Sequence, residues 1–251
     1  LLHDMYISSH KVIQSYIRQW SDLYLLRQIL RHRARFEKLF LPQSGDQFTS
    51  LDATTAALDP EAFDNYEIGA KWDIRPTLSF TAALYQLDRT NTRAAGATPG
   101  LIVLTGAQRS KGAEISLVGH VTDAWQASFG YGYTKAQITS TTSAAPKGRA
   151  AAQVPRHQLS LWNRYDLTKR FGLGLGLYHQ SRSFTTISNA VSLPAYTRLD
   201  AAAFFELRPG LEAQVNVENL TNTRYFPTAH NDNNISTGAP FNARFTLIAK
   251  F

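Results

Sequence analysis

Leu211-Glu-Ala-Gln-Val-Asn-Val-Glu218 decides the fold. Its odd positions, Leu211, Ala213, Val215 and Val217, are apolar. Its even positions, Glu212, Gln214, Asn216 and Glu218, are polar. A period of two puts successive side chains on opposite faces, so this is an antiparallel strand with one apolar and one polar face. The same period recurs outward from it. Trp125, Ala127, Phe129, Tyr131 and Tyr133 alternate with Gln126, Ser128, Gly130, Gly132 and Thr134. Phe171, Leu173, Leu175 and Leu177 alternate with Gly172, Gly174 and Gly176. Ala113, Ile115 and Leu117 alternate with Glu114, Ser116 and Val118. Leu199, Ala201, Ala203, Phe205 and Leu207 alternate less cleanly, because Phe204 sits on the other face. The last residues set Phe245, Leu247, Ala249 and Phe251 against Arg244, Thr246, Ile248 and Lys250.

Nine strands are expected, at about 66–73, 77–89, 101–121, 124–137, 156–167, 170–180, 196–208, 211–221 and 243–251. Most reach the roughly 9–11 residues that a tilted strand needs to cross a bilayer. The connections alternate in length. Tight turns fall at 74–76, 122–123, 168–169 and 209–210, and long polar segments at 90–100, 138–155, 181–195 and 222–242. Short turns on one side and long loops on the other are the pattern of an outer-membrane barrel, with turns in the periplasm and loops outside. The fold class is therefore all-β, an antiparallel transmembrane β-barrel portion. A soluble sandwich would also alternate, but has no reason to sort its loops by length.

Composition agrees. The 251 residues carry 26 Lys/Arg and 19 Asp/Glu, a net +7, with 12% aromatic and 18% charged residues and no cysteine. Absence of cysteine removes disulfides, thiolate metal sites and cysteine nucleophiles. Mean hydropathy is −0.26, an average that alternating faces produce by cancellation. No paired metal spacing joins the histidines, and neither a G-x-S-x-G elbow nor a Walker loop occurs. No enzymatic activity, intrinsic cofactor, metal site or nucleic-acid partner is expected.

Residues 1–40 differ. They hold seven Lys/Arg and three Asp/Glu, a net +4, in about one sixth of the chain. Ile13, Ile17, Trp20, Tyr24 and Leu25 recur at helical spacing, followed by Arg27, Arg31, Arg33, Arg35 and Lys38. This segment reads as a basic, helical leader, separate from a second segment at 41–251. An odd strand count implies a missing rising strand before Gln43. In that place Arg31–Phe40 alternates poorly, and Lys38 facing lipid near the midplane would cost about 2–4 kcal/mol. Residues 1–40 thus read as foreign, as from a frameshifted reading frame, which translating the upstream DNA in the other frames would test.

Val217-Glu-Asn-Leu-Thr-Asn-Thr-Arg-Tyr225 resembles the penultimate-strand signature of TonB-dependent outer-membrane receptors, with Asn219, Leu220, Asn222 and Tyr225 at its usual positions. Gly238-Ala-Pro-Phe-Asn-Ala-Arg-Phe-Thr-Leu-Ile-Ala-Lys-Phe251 is similar to that family's last strand, including the terminal Phe251, although Phe241 and Asn242 stand where the family often has Arg. Asn65-Tyr-Glu-Ile-Gly-Ala-Lys-Trp72, Gly106-Ala-Gln-Arg-Ser-Lys-Gly-Ala-Glu114 and Pro194-Ala-Tyr-Thr-Arg-Leu-Asp200 match it too. Leu41-Pro-Gln-Ser-Gly-Asp-Gln-Phe48 resembles siderophore receptors of the family, the catecholate type among them. The resemblance covers about residues 41–251. It implies a barrel of roughly 22 strands, of which this chain supplies about nine. It also implies ferric siderophore import, with the ferric siderophore as transported ligand. A plug, a TonB box and a signal peptide are family features without a match here, so the TonB complex would act only through the absent plug region. Outer-membrane lipid and, through the strand ending in Phe251, the barrel assembly machinery are the other expected partners. The alternative is a self-contained small barrel or passive pore, or a non-functional remnant.

Anionic ferric complexes need cations and flat aromatic surface at the mouth. The loops and outer strand ends offer Arg89, Arg93, Lys147, Arg149, Arg156, Arg182, Arg224, Tyr225 and His230, with Tyr178 and His179 where a strand leaves the membrane. Inward residues such as Glu212, Gln214, Asn216, Glu218 and Arg198 are expected to serve structure.

Overall fold

The computed structural model describes residues 31–41, 59–95, 102–143 and 145–250. The strands are β1 Arg31–Leu41, β2 Glu61–Arg75, β3 Leu78–Ala95, β4 Ile102–His120, β5 Trp125–Ile138, β6 His157–Asp166, β7 Phe171–Gln180, β8 Ser183–Phe184, β9 Ser192–Leu193, β10 Tyr196–Arg208, β11 Leu211–Glu218, β12 Thr228–Asn231, β13 Asn234–Ser236 and β14 Asn242–Ala249. Ten of them form one antiparallel sheet in the order β1-β2-β3-β4-β5-β6-β7-β10-β11-β14. The other four make two small ribbons, β8 with β9 and β12 with β13, inside long loops. Among the described residues β1 pairs with β2 alone and β14 with β11 alone, so these strands make an open arc of a barrel.

The cross-strand register explains the alternation. Leu173 lies opposite Ala203, Ala203 opposite Val215 and Val215 opposite Phe245, giving one continuous apolar row. Ile68, Leu84, Ile115, Leu175 and Leu247 on that face are exposed, as lipid-facing residues are. The opposite face carries Glu114, Ser160, Arg198, Asn216 and Arg244. Gly174 and Gly176 belong to this inward face. A Cβ on either would meet the Trp162 ring at 2.7 Å, so the indole lies flat across the glycines of the next strand. Because the two faces turn to lipid and lumen, the fully buried side chains lie elsewhere. The largest fully buried side chains among the described residues are Leu193, Asn219 and Thr185, all beyond the outer strand ends.

Nine expected strands correspond to β2–β7, β10, β11 and β14, and the tight turns to residues 76–77, 121–124, 167–170 and 209–210. The tenth is a correction. The segment 31–40, read as helical leader, forms β1, whose 11 residues pair with β2 from Arg31↔Lys71 to Leu41↔Glu61. The period of two is present there after all. Ala34 and Phe36 face out, while Arg35 and Glu37 face in and form an ion pair. Lys38 does face out, but its register with Asp64 puts it 11 residues from the Arg75 end of β2, at the outer rim, with Nζ 3.8 Å from Asp64 Oδ1. The midplane penalty therefore does not arise. β1 is the rising strand that the count required. The helical face Ile13–Leu25, most of the Leu41–Phe48 match, the Arg93 side chain and Phe251 lie outside the described residues.

Candidate functional site at the outer loops

The chain leaves β11 through a buried polar corner. Asn219 follows Glu218 with φ 54°, a conformation Asn tolerates better than most residues, and is fully buried. Its backbone N–H donates to Asp200 Oδ1 at 2.8 Å. Its amide nitrogen donates to Thr223 O at 2.9 Å and Ala239 O at 3.0 Å, and its Oδ1 accepts from Thr223 N at 2.8 Å. Asn222, φ 51°, donates its N–H to Asn219 O and accepts from Phe241 N at 2.9 Å. The backbone N–H of Leu220 donates to Leu199 O at 2.7 Å, and its side chain is exposed.

Tyr225 closes the corner. It is 6% exposed, and its ring stacks on Tyr196 with centroids 4.6 Å apart. A Cβ at position 238 would fall 2.1 Å from that ring, so Gly238 makes room for it. The Tyr225 hydroxyl accepts from Arg198 Nη1 at 3.1 Å. The same guanidinium reaches Glu218 Oε1 at 2.6 Å and Asp200 Oδ2 at 2.9 Å. The matched residues Asn219, Asn222 and Tyr225 thus serve structure, satisfying buried polar groups where a strand becomes a loop.

Around this corner three loops, 139–156, 181–195 and 219–241, are tied by side chains that no sequence pattern singles out. The Gln153 amide brackets residue 229, donating to Ala229 O at 2.7 Å and accepting from Ala229 N at 3.1 Å. The Asn189 amide brackets residue 150 likewise, at 3.0 and 2.8 Å. Asp232 accepts from the hydroxyls of Thr185, Ser188 and Thr186. These three donors, Thr185 foremost, hold its carboxyl below the usual carboxylate range. Isolated amides and hydroxyls in loops have no characteristic spacing, so only the folded chain reveals them.

The candidate ligand residues separate into two groups. Arg89 donates twice to Glu61 Oε2, at 2.8 and 2.5 Å. Arg149 reaches Ile187 O at 3.4 Å. The Tyr178 hydroxyl donates to Gln180 Oε1 at 3.1 Å, and Tyr225 is enclosed as described. Arg156, Arg182, Arg224 and His230 are exposed. Arg182 and Arg224 lie 5.4 and 5.5 Å over the Phe184 and Phe226 rings. A cavity of about 450 Å³ lies at the opposite end, beside the tight turns, lined by Arg164, Asp166, Phe204, Glu206 and Glu212 among others. It contains none of the candidate ligand residues.

Residues 22–220 match the family described as TonB dependent receptor-like, beta-barrel. The chain is 31% identical over 191 residues to the catecholate siderophore receptor Fiu of Escherichia coli K12, covering 74% of this chain and 25% of that protein. It is 29% identical over 225 residues to the metal-pseudopaline receptor CntO of Pseudomonas aeruginosa PAO1, covering 87% and 31%. The crystal structure of the siderophore receptor PiuA from Acinetobacter baumannii superposes with a TM-score of 0.78 at 26% identity, covering 86% of this chain and 33% of that one. The chain therefore spans about a quarter to a third of the length of these relatives.

Proposed function

The chain belongs to the TonB-dependent receptor β-barrel family, and from that membership we propose that it serves ferric siderophore uptake across the bacterial outer membrane. Its ten-stranded arc is then one sector of a larger closed barrel. The relatives named above as siderophore receptors support the ligand class, and Fiu supports a catecholate. The observation that carries the reading is the outer loop cluster. Three loops clamped together present Arg156, Arg182 and Arg224 to solvent.

The chemistry suits an anionic complex. Each guanidinium offers charge and a planar fork of donors. Phe184 and Phe226 beneath two of them limit side-chain freedom and add flat apolar surface. The ferric siderophore is cargo, bound outside and released inside. Energy from the TonB complex belongs to the same proposal and would enter through a plug rather than through this sheet. Insertion by the barrel assembly machinery would engage the strand that leads to Phe251.

The test is ferric-catecholate binding to the full-length receptor carrying Arg156→Gln, Arg182→Gln and Arg224→Gln together. Affinity is expected to drop at least roughly tenfold, the loss of one hydrogen bond to a charged group at about 1.5 kcal/mol. Undiminished binding by a variant that still migrates as a folded barrel would remove these arginines from the site.

A further inference from the structure

The lipid-facing side of the sheet carries a charge pattern that siderophore uptake does not use. Across β2–β5 the register aligns Tyr66, Gln86, Lys111 and Lys135 in one row. The next row outward aligns Asp64, Asp88, Arg109 and Gln137. Charges in that outer row are matched. Arg109 binds Asp88 through Nε at 2.5 Å and Nη2 at 3.1 Å, and Lys38 lies 3.8 Å from Asp64. The inner row is different. Lys111 and Lys135 stand directly opposite each other, both exposed, and neither makes a hydrogen bond or ion pair among the described residues. Asp88 feels the charge of Lys111, but its oxygens are taken by Arg109 and Gln86. Like charges facing across a ladder are destabilising, so this pair is a cost unless an anion covers it.

Position identifies the anion. Lys111 is nine residues from the His120 end of β4, and Lys135 ten from the Trp125 start of β5. A tilted strand crosses the bilayer in roughly 9–11 residues, so both ammonium groups lie at the outer interface. Below them on the same face are Ile115, Tyr131 and Tyr133. Tyr131 Oη lies 2.8 Å from His157 Nδ1, and the Tyr133 ring is 5.2 Å from the His157 ring, an interfacial aromatic belt. Two ammonium groups without an ion pair at this depth, turned away from the lumen, face lipid headgroups. Compact ammonium groups bind phosphate as point charges, and basic residues at a membrane surface attract anionic lipid.

We infer that the Lys111–Lys135 pair is a binding site for the phosphate of an outer-leaflet lipid headgroup. The Arg109-Ser-Lys-Gly-Ala-Glu114 stretch therefore divides its labour by face. Glu114 points to the lumen, Arg109 neutralises Asp88, and Lys111 holds lipid.

The test uses the full-length receptor in nanodiscs of zwitterionic lipid, titrated with bis-phosphorylated lipid A and with its dephosphorylated form. The receptor should prefer the phosphorylated lipid. Lys111→Gln with Lys135→Gln should lose roughly 30-fold of that affinity, the loss expected for two lysines at a membrane surface. Lys111→Arg with Lys135→Arg should retain it. Single Lys135→Gln should lose part of it, which keeps the test open if the double variant misassembles. Equal binding of the two lipids, or unchanged affinity in the double glutamine variant, overturns the inference. Displacement of lipid A by inorganic phosphate at low millimolar concentration would also overturn it, by making free phosphate the occupant.

Discussion

The corner at Asn219–Tyr225 and the clamp around Gln153 and Asp232 both hold outer loops, and they are built differently. In the corner one short run supplies the donors, acceptors and positive φ values. Asn219 reaches Thr223 four residues on, and the other partners, Asp200 on β10 and Ala239 just before β14, lie about 20 residues away. In the clamp single side chains bridge unrelated loops, with Gln153 and Ala229 76 residues apart. The corner's Asn219 and Tyr225 are buried, whereas the clamp's carboxylate is only half-buried. A buried corner defends the sheet itself; a half-buried clamp defends the arrangement of loops around the mouth.

The strongest way to break that contrast is Asn219→Ala. It leaves Thr223 N–H, Thr223 O and Ala239 O without their partner. Each such orphan costs about 1–3 kcal/mol, so the full-length receptor should lose about 3 kcal/mol or more, read as an earlier urea midpoint and loss of heat-modifiable migration. Gly238→Val comes next. Its Cβ would drive into the Tyr225 ring, which Tyr196 holds from the other side, at a cost of about 1–3 kcal/mol. The same denaturation series measures it, and Tyr225→Leu combined with Gly238→Val should recover part of the loss.

The clamp should behave otherwise. Gln153→Ala should leave the urea midpoint within about 1 kcal/mol, the scale of an exposed hydrogen bond. Amide exchange at Thr228–Asn231 should accelerate severalfold while β10 and β11 stay protected. A global loss equal to that of Asn219→Ala would erase the distinction. The smallest effect is a pH dependence. The Asp232 carboxyl is depressed by its hydroxyl donors, so its contribution is full above the unfolded carboxyl value near 3.9. It is lost as pH falls through the folded value. Limited proteolysis of loop 181–195 should therefore rise below about pH 4, and Asp232→Asn should abolish that rise.

Legibility follows the same division. β11 and β7 are readable because a strand with one face in lipid must alternate, and nothing in a membrane relaxes that rule. β1 is easily misread because Arg31, Arg33, Arg35 and Lys38 resemble a basic leader, while among the described side chains Ala34 and Phe36 mark the lipid side before the rim. Pairing with β2 settles it, since 11 consecutive ladder partners outweigh a weak local pattern. Of the candidate ligand residues, Arg156, Arg182 and Arg224 are exposed while Arg89 and Tyr225 are engaged internally. Burial and partner choice depend on which loops meet, and residue type alone does not carry that.

By itself the sequence determined the strand period and the sorting of short turns from long loops, because each is written in spacing of a few residues, and its motifs at 217–225 and 238–251 carried the resemblance to the family. The tertiary structure alone decided that Lys38 lies at the rim beside Asp64, that Trp162 covers Gly174 and Gly176, and that Gln153 meets Ala229. It also set Lys111 against Lys135. The physical reason is register. A one-residue slip between strands would keep each strand's own alternation yet change every cross-strand neighbour and face, so contacts between distant segments exist only once the ladder is laid down.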